Sequence, residues 1–578
     1  MNMIETSPNP VTTEHAPSSA AQTPAQATSH ALFHLMPSLT DAAFIIPLLF
    51  LFSKLDGVRT MLGDGDTGWH IRTGEWILAN HRIPHQDMFS FTMPNQPWFA
   101  WEWLWDVTFA WIHAHGGLGS VVAVSMVIMC LAFALLYRLI LRRCGNPIVA
   151  IGLTAMAAAG SSIHWLARPH LFTALFMVIF LAVLDRVHDG RTRLLWLLPA
   201  IMIPWTNIHG GFFIGIILVG TYAGGELLRA VFATSREERL ASAKASLPYI
   251  YTVAGCALAT LVNPYTYHLH QHILKYLNDP FQTKYILEFQ STNFRMGAAG
   301  FLEAMLALGL GAAVWYGRRK QFTEVLTIVG WGHLSLIIVR NMPIFMLAAA
   351  PVVALPLTIW LKALSEAPIA GWLRRVFAAP EAIGEEIAPM ERPWRLHVFP
   401  AVVMVLLFLA IQSPNAGKKL KPEYDPERYP AGALALLQQP GQRIFTHDEW
   451  GDYLLYHLWP KGVKVFVDGR SDFYGPVFGQ AYIDILNVKY DWEQTLAKYG
   501  VNTILMPVDA PLTGALKESR NWRVVYDDTR AIVFRQIGGS AEKVSTSGIG
   551  GGERDLSIAV SPNVYPEDHE FHSKGALN

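Results

Sequence analysis

The sequence predicts an α-helical polytopic membrane protein with a small α/β domain near its C-terminus. Three observations predict it. Apolar runs close to the ~20 residues that cross a bilayer recur along most of the chain. Only 16% of the 578 residues are charged, while 52% are hydrophobic and the mean hydropathy is +0.27; soluble domains carry about 25% charged residues. From residue 443 the pattern changes to short β-branched runs separated by helical stretches.

Residues 1–38 are rich in Ser, Thr, Ala and Pro and lack a basic segment before the first apolar run. They read as a disordered cytoplasmic tail and not as a cleaved signal peptide. The membrane domain is expected over 39–412. Its first span, 39–55, is followed by a long Trp-rich external loop, 56–117. Ten further spans follow at about 119–141, 147–163, 170–187, 194–207, 211–228, 247–262, 298–316, 323–339, 343–361 and 396–412, about eleven in all.

The side on which basic loops fall orients these spans. With the N-terminus inside, Arg138, Arg142 and Arg143 are cytoplasmic, and so are Arg186, Arg191 and Arg193, then Arg236, Arg239 and Lys244, then Arg318, Arg319 and Lys320, then Arg374 and Arg375. The segment 98–113 would flip this parity if it crossed the bilayer. It is short and holds Glu102 and Asp106, so it reads as an interfacial or re-entrant helix. The first loop and everything beyond 412 then face the periplasm or exterior.

A linker, 413–442, leads to the α/β domain, 443–537. Its expected strands are RIFTHD, KVFVDGR, NTILMPV, WRVVYDD and RAIVFRQ, the last two forming a hairpin across Asp528-Thr529. Residues 450–458, 477–486 and 492–498 are expected helices in a partly parallel sheet. The Gly/Ser-rich residues 538–578 read as a disordered tail. Zero formal net charge excludes a nucleic-acid footprint. Cys130, Cys144 and Cys256 lie in or beside apolar runs without zinc spacing, and no GxGxxG or P-loop occurs in the α/β domain.

Chemistry-bearing residues gather on the outer side. Asp64 and Asp66 follow the first span, with His70, Glu75 and Glu102 further along the loop. A carboxylate held near lipid and aromatic rings is poorly solvated, takes up a proton readily and can serve as a base. At span ends stand Arg168, His170, Asn207, His209, Arg340 and Asn341. For any one of these, helix capping or snorkelling is the simpler reading. Together they ring one mouth of the bundle, and the guanidinium fork of Arg168 or Arg340 suits a phosphate.

The stretch GDTGWHIRTGEWILANHRIPHQDMFSFT, with PWFAWEWL, ARPHLFT, NIHGGF and DEWGDYLLYHLWP…VFVDGRSDFYG, resembles one bacterial branch of the GT-C superfamily of membrane glycosyltransferases, over about 40–537. The resemblance implies a sugar donor linked to polyprenyl phosphate, an unknown glycan, lipid or protein acceptor, and a first-loop carboxylate as general base. That maps onto Asp66 or Asp64, with Arg168, His209 and Arg340 on the donor phosphate. No cofactor is required by such a scheme; a divalent cation at Asp64 and Asp66 stays an option. Two other classes compete: a lipid or glycan transporter or flippase, and a non-enzymatic envelope assembly factor. A transporter predicts related halves with broken helices, which the sequence does not display; an assembly factor predicts dispensable first-loop carboxylates.

Overall fold

The computed structural model describes residues 34–188, 190–391, 395–439 and 441–537. Most of the expected N-terminal tail, and all of the C-terminal one, lie outside the described residues. Every expected span is a helix: Leu39–Lys54, Trp103–Cys144, Pro147–Ser161, His170–His188, Leu197–Ile208, Phe213–Val231, Arg236–Ala259, Ala299–Gly317, Phe322–Ile337, Met342–Glu366 and Val398–Ile411. Six of the described helical segments are long and apolar enough to cross a membrane. Others fall short for plain reasons: the 14 residues of Val398–Ile411 rise only about 21 Å at 1.5 Å each, and Arg236–Ala259 opens on a charged turn.

Local chemistry sets the helix ends. Ser38 and Asp41 form a reciprocal capping box, Asn146 caps the helix beginning at Pro147, and Ser235 caps the one beginning at Arg236. The segment expected at 98–113 becomes a helix from Trp103 that runs on to Cys144, broken at Gly116 and Gly117, where Gly117 takes a positive φ of 63°. The part before the break lies against the helix Asp66–Asn80; at Gly74 the Asp106 carbonyl leaves no room for a Cβ. At the bundle centre runs Met342–Glu366, in which every residue from Met342 to Ala354 is buried. Small residues there, Ala348 to Ala350, let neighbouring helices approach closely.

The C-terminal domain has four strands: β1 Ile444–Phe445, β2 Thr503–Pro507, β3 Trp522–Asp527 and β4 Ala531–Gln536, in the order β1-β2-β4-β3. β1 and β2 are parallel, and β3 and β4 form the expected antiparallel hairpin. The run KVFVDGR, expected as a strand, makes only isolated bridges. Its Val465 exchanges backbone hydrogen bonds with Phe89 and Phe91 of the first loop (3.1 and 3.0 Å). Its β-branched residues thus serve to tie the domain to that loop, a partner that local pattern cannot reveal. Helices Asp448–Leu458, Ser471–Leu486 and Trp492–Lys498 match the expected stretches, and Pro511–Glu518 is an additional one.

Between the bundle and the domain, Tyr424 and Tyr429 are buried, and Arg59 of the first loop pairs with Glu423 and with Asp425 (3.2 Å). Bundle, first loop and C-terminal domain form one compact unit. The site sits where they meet.

Candidate active site

Asp64 and Asp66 are held at the start of the helix Asp66–Asn80, where Asp64 Oδ1 accepts a hydrogen bond from the Asp66 backbone N–H (2.9 Å). Opposite them, Arg168 lies in the bend between two bundle helices. That bend is pinned to the first loop twice: Ala167 N–H donates to the Met61 carbonyl (2.7 Å), and Thr67 Oγ1 donates to the Ala167 carbonyl (3.1 Å). Arg168 Nη1 donates to Asp64 Oδ2 (2.6 Å), Nη2 pairs with Asp66 Oδ2, and Glu288 stands 3.6 Å away. The planar fork of arginine suits two carboxylates at once. Arg168 is therefore engaged by the two aspartates.

The C-terminal domain closes over this group. Asp452, on the helix Asp448–Leu458, accepts from the Gly469 N–H (2.9 Å) and brings its carboxyl beside that of Asp66. The Asp66 carboxyl lies so close to Gly469 that a Cβ there would collide with it. Burial pushes the Asp66 carboxyl up to about 7, with Asp64 adding to the rise and Arg168 opposing it. Asp452 is also raised, by burial and by the charges of Asp66 and Asp468. A carboxylate with an affinity for protons near neutrality is matched to general-base work. Asp468 is taken up elsewhere: it chelates Arg470 through both oxygens (2.8 and 2.7 Å), and Arg470 also binds Asp87 (2.7 Å). That buried pair, under Phe89 and Trp98, locks the domain to the first loop.

A second, basic group lines the same cavity, which encloses about 850 Å³. Arg340 stands 3.6 Å from Glu288 and 4.9 Å above the Phe289 ring. His170 Nε2 donates to the His164 carbonyl (2.6 Å), and the rings of His164, His170 and His209 follow one another at 5.1 and 6.4 Å. His209 Nδ1 accepts from the Gly211 N–H (3.1 Å) and lies 2.7 Å from Thr173 Oγ1, which leaves its proton on Nε2. Burial, aided by Arg340 and Arg168, holds His209 well below the usual imidazole range. Glu288 is lowered: burial works to raise it, but Arg340 and Arg168 prevail.

Of the eleven residues singled out in the sequence, Asp64, Asp66, Glu102, Arg168, His170, His209, Arg340 and Asn341 line this cavity; Glu75 does not, and pairs with Arg72 and His113 instead. Asn207 does not: its side chain accepts from Trp103 Nε1 and donates to the Val262 carbonyl (both 2.8 Å), so it joins helices. His70 lies behind the wall, 2.6 Å from Asp106. The sequence reading missed Asp452, Glu288 and His164. Asp452 lies one helical turn beyond Asp448 in a motif already noted, so its spacing was a usable signal; Glu288 and His164 carry no local signal. Among the described residues, no group of three or more His, Cys, Asp or Glu side chains is arranged to hold a metal ion.

The two groups divide the chemistry between them. Asp66 can accept a proton at neutral pH, and Arg340 with the imidazole donors can meet an anion inside the bundle mouth. No family model matches the chain, and no curated protein matches it. Among solved structures, the oligosaccharyltransferase of Archaeoglobus fulgidus, tethered to an acceptor peptide, aligns with a TM-score of 0.51 and 11% identity over 86% of this chain and 74% of that one. Its apo form aligns with a TM-score of 0.50 and 11% identity over 87% and 74%. ArnT of Cupriavidus metallidurans in the apo state gives 0.43 and 15% over 89% and 98%. At 11% identity the first two likenesses are ones of fold, and they agree with the resemblance read from the sequence motifs: this polytopic chain has the GT-C fold.

Proposed function

We propose that the chain is an inverting membrane glycosyltransferase that moves a sugar from a polyprenyl-phosphate donor to an acceptor on the outer, periplasmic side. One observation carries the reading: a buried carboxyl pushed up to about 7, Asp66, faces the same cavity as the Arg340 and histidine group. The acceptor hydroxyl or amine gives its proton to Asp66 as it attacks the anomeric carbon. The bond to phosphate breaks, its electron pair leaves on the phosphate oxygen, and Arg340 meets the charge. Arg168 holds Asp64 and Asp66 in place and keeps Asp66 low enough in proton affinity to be ionised near neutrality. The fold of the archaeal oligosaccharyltransferase supports the reading. The test is sugar transfer from a polyprenyl-phosphate-sugar donor by the purified chain, with Asp66→Asn beside it. Transfer by the wild type that the variant loses supports the proposal; no transfer by either, across a panel of donors, or equal transfer by both, overturns it.

A further inference from the structure

A second, smaller cavity of about 200 Å³ lies against the first and plays no part in this scheme. Three parts of the chain that are remote in sequence build it. The first loop supplies Pro97 to Phe99, the helices Tyr267–Leu277 and Pro280–Tyr285 supply His272, Tyr276 and Gln282, and the helix Ser471–Leu486 supplies Asp472 and Phe473. Trp98, Phe99, Tyr276 and Asp472 line both cavities, so the two share a wall. Asp66, Arg168, His209 and Arg340 line only the larger one.

The lining mixes ring surface with polar groups that have bonding capacity to spare. His272 Nε2 and Asp472 Oδ2 meet at 2.9 Å, and Phe99 stacks on the imidazole at 4.4 Å, which fixes one side. Asp472 Oδ1 has no hydrogen-bond partner among the described residues. Gln282 is 1% exposed, and its Nε2 donates to the Ser471 carbonyl (3.4 Å). That carbonyl sets the amide, because the flipped amide would put oxygen against oxygen. Gln282 Oε1 is thereby left buried and without a partner among the described residues. A buried acceptor left unmet costs free energy and calls for an explanation. Two kinds of ligand suit this lining badly. An anion would meet Asp279 and Asp472 with only Lys275 in its favour. An alkyl chain would cover the polar groups without meeting any of them. A pyranose ring matches both halves, since its hydroxyls donate to carboxylate and amide oxygens and its C–H face packs on aromatic rings such as Tyr276 and Phe473.

We propose that the smaller cavity is a subsite for one sugar ring of the acceptor, remote from the hydroxyl that gives its proton to Asp66. This rests on the glycosyltransferase reading and names its acceptor as a glycan. The donor phosphate and the anomeric carbon belong between Arg340 and Asp66, and neither residue lines the smaller cavity. The acceptor is the substrate with a part left to place there. Contacts made to such a remote ring orient the reacting hydroxyl in the larger cavity.

The experiment measures binding of the methyl glycosides of glucose, galactose, mannose and N-acetylglucosamine to the purified full chain by saturation-transfer NMR. At least one is expected to bind with a Kd on the order of 1 mM, ordinary for a single ring. Gln282→Leu and Phe473→Ala should each weaken it about tenfold, and Asp66→Asn should bind as the wild type does. Gln282→Leu removes an unmet acceptor, so its thermal unfolding should come no earlier than that of the wild type. Loading the chain with polyprenyl-phosphate-monosaccharide donors should leave glycoside binding in place. No glycoside binding by the wild type overturns the proposal, and so does equal binding by both pocket variants. Displacement of the glycoside by a donor overturns it too, because the ring would then be the donor's. Binding is read without transfer, so a chain that binds the glycoside yet transfers no sugar overturns the glycosyltransferase reading and keeps the sugar subsite.

Discussion

The carboxyls of Asp66, in the first loop, and Asp452, in the C-terminal domain, converge on Gly469, whose N–H donates to Asp452 (2.9 Å). The small domain is thereby part of the site's wall, and the state of the proposed base depends on both ends of the chain.

Since Asp66 must be ionised to accept a proton, the transfer rate is expected to rise with pH through about 7. Arg168 opposes the rise in its pKa, so Arg168→Gln should move this acidic limb upward by about 1–3 units. The limb should vanish in Asp66→Asn with a loss of about 10²–10⁴-fold in rate. Asp64→Asn, which keeps an acceptor for the Asp66 N–H, should lose less. Rate profiles between pH 5 and 9 check all three.

Arg340 pairs only loosely with Glu288, at 3.6 Å, whereas Arg168 is held by two aspartates. Arg340→Ala should therefore weaken polyprenyl phosphate binding by about 1.5–3 kcal/mol, the worth of a charged hydrogen bond. Arg340→Lys should recover part of it, since the charge returns without the fork. Titration of the purified variants with the lipid phosphate gives the comparison.

Gly469 has no space for a side chain because the carboxyls of Asp66 and Asp452 occupy it. Gly469→Ala should displace Asp66 and cut transfer by about 10²-fold, what a 1 Å misplacement can cost. Gly417→Ala, at a glycine with nothing within 4 Å of its Cβ position, is the matched control and should leave transfer unchanged. Thermal unfolding of both variants separates misplacement from misfolding.

Reporter fusions test the orientation. Fusions after Arg143, Arg193 and Arg319 should report the cytoplasm, and a fusion after Gly417 the periplasm. An inverted pattern from Arg143 onward would mean that the helix from Trp103 crosses the bilayer before its break at Gly116 and Gly117.

The sequence by itself determined the helical bundle and the small α/β domain. Apolar runs of bilayer length and alternating β-branched runs are local patterns, and local patterns report the environment each segment must bury. It also pointed to Asp64, Asp66, Arg168, His209 and Arg340, because ionisable residues at span ends stand out against apolar surroundings. What only the tertiary structure decided was who meets whom. Asp64 and Arg168 stand 104 positions apart and bind at 2.6 Å; Asp66 and Asp452 come from opposite ends of the chain. The extended run at Val465 pairs with the first loop, and Asn207 turns to a neighbouring helix. None of these pairings has a signature at short range. Each depends on how helices pack, and so do the burial and the neighbouring charges that raise Asp66.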